Sequence, residues 1–384
     1  MSTPSATRPL FLILMLVVLL GNAVAQPTFA NEAAQIYAPL VLAPLTVTTA
    51  EDELNSDGDC SLREAILAAN TDTPVDGCMV GVGREVILVP PGIYTLDLSG
   101  AAEDGNLSGD LDIRDELVLI GAGATATILR GSGDRVLHVL TDTHASVSQI
   151  TVAYGRTPDG AASGQADQPG EDAAPGGGIA NHGFLTLTHS LVMTNSTGNG
   201  GAGFEETVTQ TGTAGGSGGP GGALFNAGTA YVRNCYFANN TTGSGGDNPV
   251  GAAGGEGGAG GAIYNVGALW ITATTVTNNR TGAAMPSIVP PFFHGGNGAD
   301  GGGIANEGAL VIERSTLAFN HTASGGSTGG GSHSAGGSGG AGLGIFNQGL
   351  LPIRNSTVSN NGTGAGGSAS STRARSRSSV RSRR

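Results

Sequence analysis

The stretch Gly301–Asn320, GGGIANEGALVIERSTLAFN, decides the fold, because closely similar stretches occur four more times in the chain. The other copies span 176–195, 221–240, 260–279 and 342–361. Each copy contains one Asn after an apolar residue and a second Asn 14 positions later. These Asn residues are Asn181 and Asn195, Asn226 and Asn240, Asn265 and Asn279, Asn306 and Asn320, and Asn347 and Asn361. Successive copies are 45, 39, 41 and 41 residues apart, so a rigid unit alternates with Gly-rich segments of variable length.

Apolar and polar residues alternate inside each copy, as the positions of Leu185, Leu187, Leu310 and Ile312 show. This period of two is typical of a β-strand and does not fit a helix. One copy cannot bury its own apolar face, so the copies must stack, with equivalent residues in columns. The expected apolar columns are Ile179, Leu224, Ile263, Ile304 and Ile345; Leu187, Val232, Ile271, Ile312 and Ile353; and Val192, Phe237, Val276, Leu317 and Val358.

Other columns are polar or small. They comprise the two Asn columns, a column of Ser190, Cys235, Thr274, Ser315 and Ser356, and a column of Gly183, Gly228, Gly267, Gly308 and Gly349. Stacked Asn amides are expected to form ladders, since they can hydrogen-bond along the stack and to backbone groups at turns. The glycine column suits a bend with positive φ or little space. Cys235 is expected to be a buried substitute for Ser rather than a nucleophile.

These features predict an all-β fold, a right-handed parallel β-helix over residues 84–362, that is a single-stranded solenoid with Gly-rich loop insertions. The hand follows from the right-handed rule for parallel crossovers. Disordered low-complexity chain is the alternative that 68 Gly in 384 residues would favour, but disorder imposes no fixed gap of 14. A degenerate sixth copy ends at Gly155, and short strands precede it. The Gly-rich segments are expected to be flexible loops or loosely ordered excursions along one flank.

The two ends of the chain differ from the repeats. Residues 1–25 resemble a secretory signal peptide, because an apolar core precedes the small-residue pattern Ala23-Val24-Ala25; an uncleaved anchor is the alternative. Residues 26–44 are predicted to be a linker. The Arg/Ser-rich tail, 363–384, is predicted to be disordered, either as a basic surface-binding arm or, as we prefer, as an incidental terminus. No second apolar span occurs, so no transmembrane span is expected after signal cleavage.

Residues 45–83 are predicted to form an N-terminal cap that covers the open end of the solenoid. Ser61 and Glu64 have the spacing of a capping box, which predicts a short amphipathic helix ending near Asn70. Cys60 and Cys78 flank this helix. In an exported protein they are expected to form a disulfide, with two free buried thiols as the alternative.

The segment CSLREAI followed by AAN resembles the N-terminal CSLREA motif of secreted bacterial β-helix proteins. The Gly-Asn repeats are similar to those of chlamydial polymorphic outer membrane proteins and of pectin-lyase-like β-helices. The resemblance covers roughly residues 45–362 and implies export and a right-handed β-helix. It implies no particular activity. Unlike the polymorphic outer membrane proteins, this sequence shows no transporter barrel after the repeats.

One polar segment before the helix has the spacing of a calcium loop. In ELNSDGDCSLRE, oxygen donors and a turn glycine occupy the expected positions of a 12-residue loop, at Glu53, Asn55, Asp57, Gly58, Ser61 and Glu64. The first position holds Glu where Asp is usual, and no incoming helix is evident. The alternative is a polar turn before a capped helix. Calcium is the one cofactor that the sequence suggests.

Other chemistry is sparse. The chain has a formal charge of −13 and no Lys, which argues against nucleic-acid binding. His182 and His189 show no metal-ligand spacing. An acidic patch (Glu103, Asp104, Asp110, Asp112 and Asp115) is expected to be a solvated loop rather than a binding site.

The sequence therefore favours an exported, non-enzymatic protein with an adhesion-like, surface-presenting or structural role. It would be secreted or located at the surface of a bacterium and would bind an extracellular glycan or protein. A polysaccharide lyase or glycoside hydrolase is the alternative, and it predicts a groove with acids, Arg and an aromatic residue such as Tyr264 or Trp270. A fragment of a larger surface protein is a third possibility.

Overall fold

A computed structural model describes residues 44–79, 83–101, 103–165, 168–206, 211–247, 252–286, 295–327 and 337–363. All of them belong to one unit, which starts at Pro44. The predicted signal peptide and the Arg/Ser-rich tail (from 364) lie outside the described residues, as does the predicted linker except for Pro44.

Three parallel sheets run along the solenoid, and each complete coil contributes one strand to each sheet. The nine-stranded sheet contains Leu45–Thr46, Glu85–Val89, Leu117–Gly121, His144–Ser148, Phe184–Thr188, Thr229–Arg233, Ala268–Thr272, Ala309–Glu313 and Ile353–Arg354. The eight-stranded sheet contains Gly92–Thr95, Thr127–Arg130, Thr151–Ala153, Leu191–Met193, Tyr236–Ala238, Thr275–Thr277, Thr316–Ala318 and Thr357–Ser359. The seven-stranded sheet contains Leu111–Ile113, Leu137–Val139, Ile179–Asn181, Leu224–Asn226, Ile263–Asn265, Ile304–Asn306 and Ile345–Asn347. The predicted parallel β-helix is thus confirmed.

Two short strand pairs complete the strands described. Glu205–Glu206 and Thr211–Gly212 form an antiparallel pair, and His321–Thr322 and Gly362–Thr363 form a parallel pair. Leu111–Ile113 and Thr127–Arg130 were not among the short strands expected before the sixth copy.

The core fills the space between the three sheets. Residues of the predicted apolar columns pair in register, as Ile271 does with Val232 and Ile312. Ile179, Ile271 and Val276 have no exposed surface. The degenerate copy is also in register, since Val147 pairs with Leu187.

Sharp corners join the strands of each coil. Two columns of non-glycine residues have positive φ there: Gln149, His189, Asn234, Ala273, Arg314 and Asn355, and Tyr154, Thr194, Asn239, Asn278, Phe319 and Asn360. The predicted glycine column does not have positive φ. It is required by space instead, because a Cβ on Gly228 would lie 2.0 Å from the carbonyl oxygen of Gly183.

Both Asn columns form buried ladders. In the first ladder, Asn226 Nδ2 donates to Asn265 Oδ1 at 2.7 Å, and Asn265 Nδ2 donates to Asn306 Oδ1 at 2.6 Å. In the second, Asn279 Oδ1 accepts from both the backbone and the side-chain nitrogen of Asn240, at 3.0 and 2.9 Å. The amides thereby satisfy polar groups at corners that water does not reach.

The described parts of the Gly-rich segments form regular backbone hydrogen bonds, where the sequence analysis expected flexible loops or loosely ordered excursions. Each segment leaves the eight-stranded sheet and returns to the seven-stranded sheet, and its two arms hydrogen-bond alternately with those of the next coil. One continuous line of N–H to carbonyl bonds passes through Glu171, Gly201, Gly216, Gly246, Gly255, Met285, Gly296, Gly326 and Gly337. We call this structure the glycine array. The arms approach so closely that a Cβ on Gly243 would lie 1.7 Å from Gly198 O.

A threonine column joins the glycine array to the coils. Its members are Thr157, Thr197, Thr242, Thr281, Thr322 and Thr363, each two residues after the second Asn or its equivalent. Thr197 Oγ1, for example, accepts from Gly243 N in the next coil at 2.9 Å and donates to Gly219 O in the returning arm. The sequence analysis missed this column, although its fixed spacing was visible.

Helix α1, Leu62–Thr71, covers the N-terminal end of the solenoid. Its capping box is complete, because Glu64 N bonds to Ser61 Oγ and Ser61 N bonds to the Glu64 carboxylate. The structure contains a disulfide between Cys60 and Cys78, 18 residues apart.

Arg63 ties this helix to the first coil. Its guanidinium group is fully buried and pairs with Asp52 at 2.6 Å. It also donates to the carbonyl oxygens of Gly109 and Asp110, at 2.8 and 3.0 Å. One buried side chain thus fixes the helix to the end of the acidic segment, 98–110, which precedes Leu111–Ile113 in the first coil.

Candidate functional site

The acidic segment 98–110 folds back over the first strand of the seven-stranded sheet. Asn106 lies at the centre of this contact, since its side chain donates to Arg63 O at 2.8 Å and its backbone N–H donates to Asp112 Oδ2 at 3.0 Å. Asp110 and Asp112 are buried, at 4% and 0% exposure. The expectation of a solvated acidic loop is therefore wrong for these two residues, whereas Asp104 remains exposed.

Asp110 and Asp134 flank Arg135 beside a cavity of about 210 Å³. Arg135 Nε lies 3.0 Å from Asp110 Oδ2 and 3.8 Å from Asp134 Oδ1. Neither Asp110 Oδ2 nor Asp134 Oδ2 has a hydrogen-bond partner among the described residues. Burial raises the pKa of Asp110 to about 8 against the opposing charge of Arg135, and burial also raises the pKa of Asp134. Two buried carboxylates therefore share one cation at an accessible cavity.

A short polar chain crosses the outward face of the seven-stranded sheet next to this cavity. His138 Nδ1 lies 3.2 Å from Asp112 Oδ1 and 3.4 Å from Asp104 Oδ1. His138 Nε2 lies 3.0 Å from His182 Nδ1. Burial and the nearby charges of His138 and Arg135 lower the pKa of His182, so its neutral form is favoured. Linear spacing gave no sign of this cluster, because its members come from three coils.

A second candidate site lies on the outward face of the nine-stranded sheet. His144 stacks on Phe184 with ring centroids 4.3 Å apart, and Tyr231 stacks on Trp270 at 4.8 Å. These four residues lie on four successive coils, and we call them the aromatic strip. Phe184, Tyr231 and Trp270 are 44%, 49% and 36% exposed. Stacking within each pair stabilises the sheet, and the two pairs are offset by two residues along the strands, because Phe184 pairs with Thr229 and Tyr231 pairs with Thr186. The exposed ring faces leave apolar surface that a ligand can cover.

A depression of about 290 Å³ lies at the aromatic strip. Its lining includes His144, Phe184 and Tyr231. Arg84 and Glu116 also line it and lie 3.4 Å apart with half-exposed side chains. The depression thus combines apolar rings with hydrogen-bond donors and acceptors, as ligand sites do.

The two aromatic residues named by the enzyme hypothesis lie on different sheets. Trp270 belongs to the aromatic strip. Tyr264 lies on the seven-stranded sheet, where its hydroxyl donates to Glu307 at 2.7 Å and its ring stacks with Phe225. Burial and the bond to Glu307 raise the pKa of Tyr264. No groove therefore brings Tyr264 and Trp270 together in the part of the chain that is described.

The predicted calcium loop gathers carboxylates, but in a different set. Oxygens of Glu53, Asp57 and Asp59 lie within 4.8 Å of one another, and so do those of Asp59, Glu64 and Asp76. Glu64 already accepts from the backbone of the cap, and Asp76 lies outside the predicted loop. Calcium binding stays a prediction.

We expect that adding calcium raises the melting temperature of the wild-type protein but not that of Asp59→Asn. An unchanged wild-type melting temperature would contradict calcium binding at this loop.

The free thiol does not belong to a catalytic site. Cys235 is buried in the small-residue column, where its Sγ lies 3.2 Å from Arg233 O and 3.4 Å from Leu187 O. Burial raises the pKa of its thiol to about 11. The reactive thiolate is therefore scarce at neutral pH.

Comparisons with known proteins add little. No family model matches the sequence, and no curated protein matches it. A solved structure titled Geobacillus virus E2 ORF18 is similar at 11% identity, over 83% of this chain and 60% of that one, with a TM-score of 0.21. The chain thus spans 60% of that protein, and a TM-score this low does not establish a shared fold. Within the described ranges, no helix has both the length and the apolar character needed to cross a bilayer.

Proposed function

We propose that this protein is an exported, non-enzymatic β-helix that binds a glycan on the outward face of its nine-stranded sheet. Its role would be adhesion-like or structural at the surface of a bacterium. The observation that carries the proposal is the aromatic strip, with its exposed rings on four successive coils.

The chemistry of the aromatic strip fits a sugar better than an apolar protein segment. Pyranose rings have apolar C–H faces that pack on aromatic rings, and hydroxyl groups around their edges that require polar partners. Around the depression, Arg84, Glu116 and Thr186 supply such partners beside Phe184 and Tyr231. Successive coils are about 4.8 Å apart, so the strip extends about 14 Å along the solenoid axis, which suits a chain of sugars.

Trp270 provides a direct test of glycan binding, because it is the only Trp in the chain. Purified oligosaccharides would be titrated while intrinsic fluorescence is recorded, with calorimetry as a second measurement. We expect saturable binding that Tyr231→Ala weakens at least tenfold. Tyr236→Ala is the matched control, because Tyr236 is 38% exposed on the eight-stranded sheet. Absence of binding across a broad panel, or equal binding by both variants, would contradict the proposal.

Export is tested separately. The full chain would be expressed in a bacterium, the cells fractionated, and the amino terminus of the exported protein sequenced. We expect the protein outside the cytoplasm, with a new amino terminus close to residue 26. Uncleaved protein retained in the cytoplasm would contradict export without bearing on glycan binding.

A second candidate function, polysaccharide cleavage, has one observation in its favour. Asp110 and Asp134 flank Arg135 at a cavity, and a pair of carboxylates is the equipment of glycoside hydrolases. Products would be assayed as new reducing ends and as unsaturated sugars after incubation with a polysaccharide panel. Cleavage by the wild type that Asp134→Asn abolishes would favour this function over binding alone.

A further inference from the structure

We propose that Asp104, Asp112 and His138 bind one divalent transition-metal ion of the Zn²⁺ class, with His182 as a positioning residue. The three donor atoms lie within 4.8 Å of one another. This inference uses the seven-stranded sheet and does not depend on glycan binding at the aromatic strip.

Two of the three distances between donor atoms match those around a tetrahedral ion. Zn–N and Zn–O bonds of about 2.05 Å place neighbouring ligand atoms about 3.3 Å apart. His138 Nδ1 lies 3.2 Å from Asp112 Oδ1 and 3.4 Å from Asp104 Oδ1. A proton on Nδ1 could make a good hydrogen bond to only one of these carboxylates, whereas an ion would be coordinated by both.

The surroundings of His138 complete the usual organisation of a metal site. Its second ring nitrogen lies 3.0 Å from His182 Nδ1, so the Nε2–H can be donated there while Nδ1 keeps its lone pair for the ion. Asp112 is fixed in the same way, because its second oxygen accepts from Asn106 N at 3.0 Å. Two ligands are therefore oriented before an ion arrives.

Charge and access also favour a cation. Asp104 and Asp112 supply two negative charges to the cluster, and Asp112 is fully buried. The Asp104 side chain is 67% exposed and gives an ion a path from solvent. Histidine beside carboxylates selects Zn²⁺ or a similar transition metal, whereas Ca²⁺ prefers sites made of oxygen alone.

The experiment titrates chelator-treated full-length protein with Zn²⁺ by calorimetry and with Co²⁺ by visible absorption. Excess calcium is added to the buffer to compete with Zn²⁺ at clusters that contain only oxygen ligands, such as the cluster around Asp59. We expect one equivalent of Zn²⁺ and an intense Co²⁺ band typical of low coordination number. His138→Ala should abolish both, and His182→Ala should weaken Zn²⁺ binding about 10- to 100-fold and shift the Co²⁺ band.

Two variants keep the test clear of folding defects. Asp104→Asn changes an exposed side chain and should weaken Zn²⁺ binding at least tenfold without changing the circular dichroism spectrum. His189→Ala is the matched control, because His189 contacts Asn234 on a different corner of the solenoid. A wild type that binds no Zn²⁺, or His138→Ala and Asp104→Asn variants that bind it as His189→Ala does, would overturn the proposal.

Discussion

The thiol of Cys235 shows how a column of the solenoid controls the chemistry of one residue. Burial raises its pKa to about 11, so the thiol stays protonated until the pH approaches that value. We expect native protein at pH 8 to react very slowly with an aromatic disulfide reagent. In denaturant, one thiol per chain should react, because two of the three cysteines form the disulfide.

Cys235→Ser is the control for this interpretation. The equivalent residues in neighbouring copies include Ser190 and Ser315, whose hydroxyl groups donate to backbone carbonyls two residues earlier. The free energy of unfolding should change by less than about 1 kcal/mol. Rapid stoichiometric labelling of the native protein would show that Cys235 is accessible and would refute the buried-column interpretation.

At the scale of the element, the first Asn ladder predicts a large effect from one amide. Asn265 is fully buried, accepts from Asn226 Nδ2 and donates to Asn306 Oδ1, and its Nδ2 also lies 3.2 Å from the partly buried carbonyl oxygens of Gly267 and Ala309. Asn265→Ala would leave buried polar groups unpaired and should cost roughly 2–4 kcal/mol in the free energy of unfolding, measured by denaturant titration.

Asn347→Ala provides the comparison for that measurement. Asn347 ends the ladder in an exposed position, where its side chain donates to Gly349 O and accepts from Asn306 Nδ2. Water can replace its contacts, so the variant should lose only about 1 kcal/mol. Equal losses in the two variants would mean that the ladder contributes no more than an exposed hydrogen bond.

The glycine array predicts an equally sharp contrast between two glycines. A Cβ on Gly243 would lie 1.7 Å from Gly198 O, whereas a Cβ on Gly164 would meet no atom within 4 Å. Gly243→Ala must displace backbone and should cost about 3 kcal/mol, and Gly164→Ala should be neutral to within about 0.5 kcal/mol. Thermal and denaturant unfolding measure both, and similar melting temperatures would contradict the ordered array.

The strands of the five repeats were predictable from the sequence, whereas the hydrogen-bonded glycine array was not. An Asn repeated 14 residues apart fixes register, because each amide needs its equivalent in the next coil. Because glycines have no side chain, the Gly-rich segments show no alternation of apolar and polar residues. Their high glycine content is therefore the only sign of close packing in the sequence. The threonine column was a usable signal, since Thr197 and Thr242 each follow the second Asn by two residues.

At the scale of the whole molecule, the acidic and histidine cluster could not be predicted locally. The segment that carries Asp104 and Asp110 looks solvated in sequence, but Arg63 binds its backbone from 46 residues away. His138 and His182 meet because one coil is 42 residues long at that point, which places His182 two residues beyond Ala180, the residue that pairs with His138. Tyr231 and Trp270 share one column, so the alignment of copies already contained half of the aromatic strip.

The solenoid as a whole predicts graded stability along its axis. Coils interact mainly with their neighbours, so opening can start at an end and spread. Ile353 and Val358 in the last described coil are 42% and 46% exposed, whereas Ile271 and Val276 are fully buried. Hydrogen exchange followed by mass spectrometry should show residues 345–363 exchanging fastest among the coils and residues 263–277 more slowly.

Asn265→Ala tests whether neighbouring coils are coupled. If stability passes from coil to coil, the variant should speed exchange in residues 224–240 and 304–320 as well as in its own coil. Helix α1, which the Cys60–Cys78 disulfide and Arg63 hold at the other end, should keep its wild-type protection. Faster exchange confined to residues 263–279 would show independent coils, and a uniform increase including α1 would show one all-or-none unit instead of a solenoid that opens in steps.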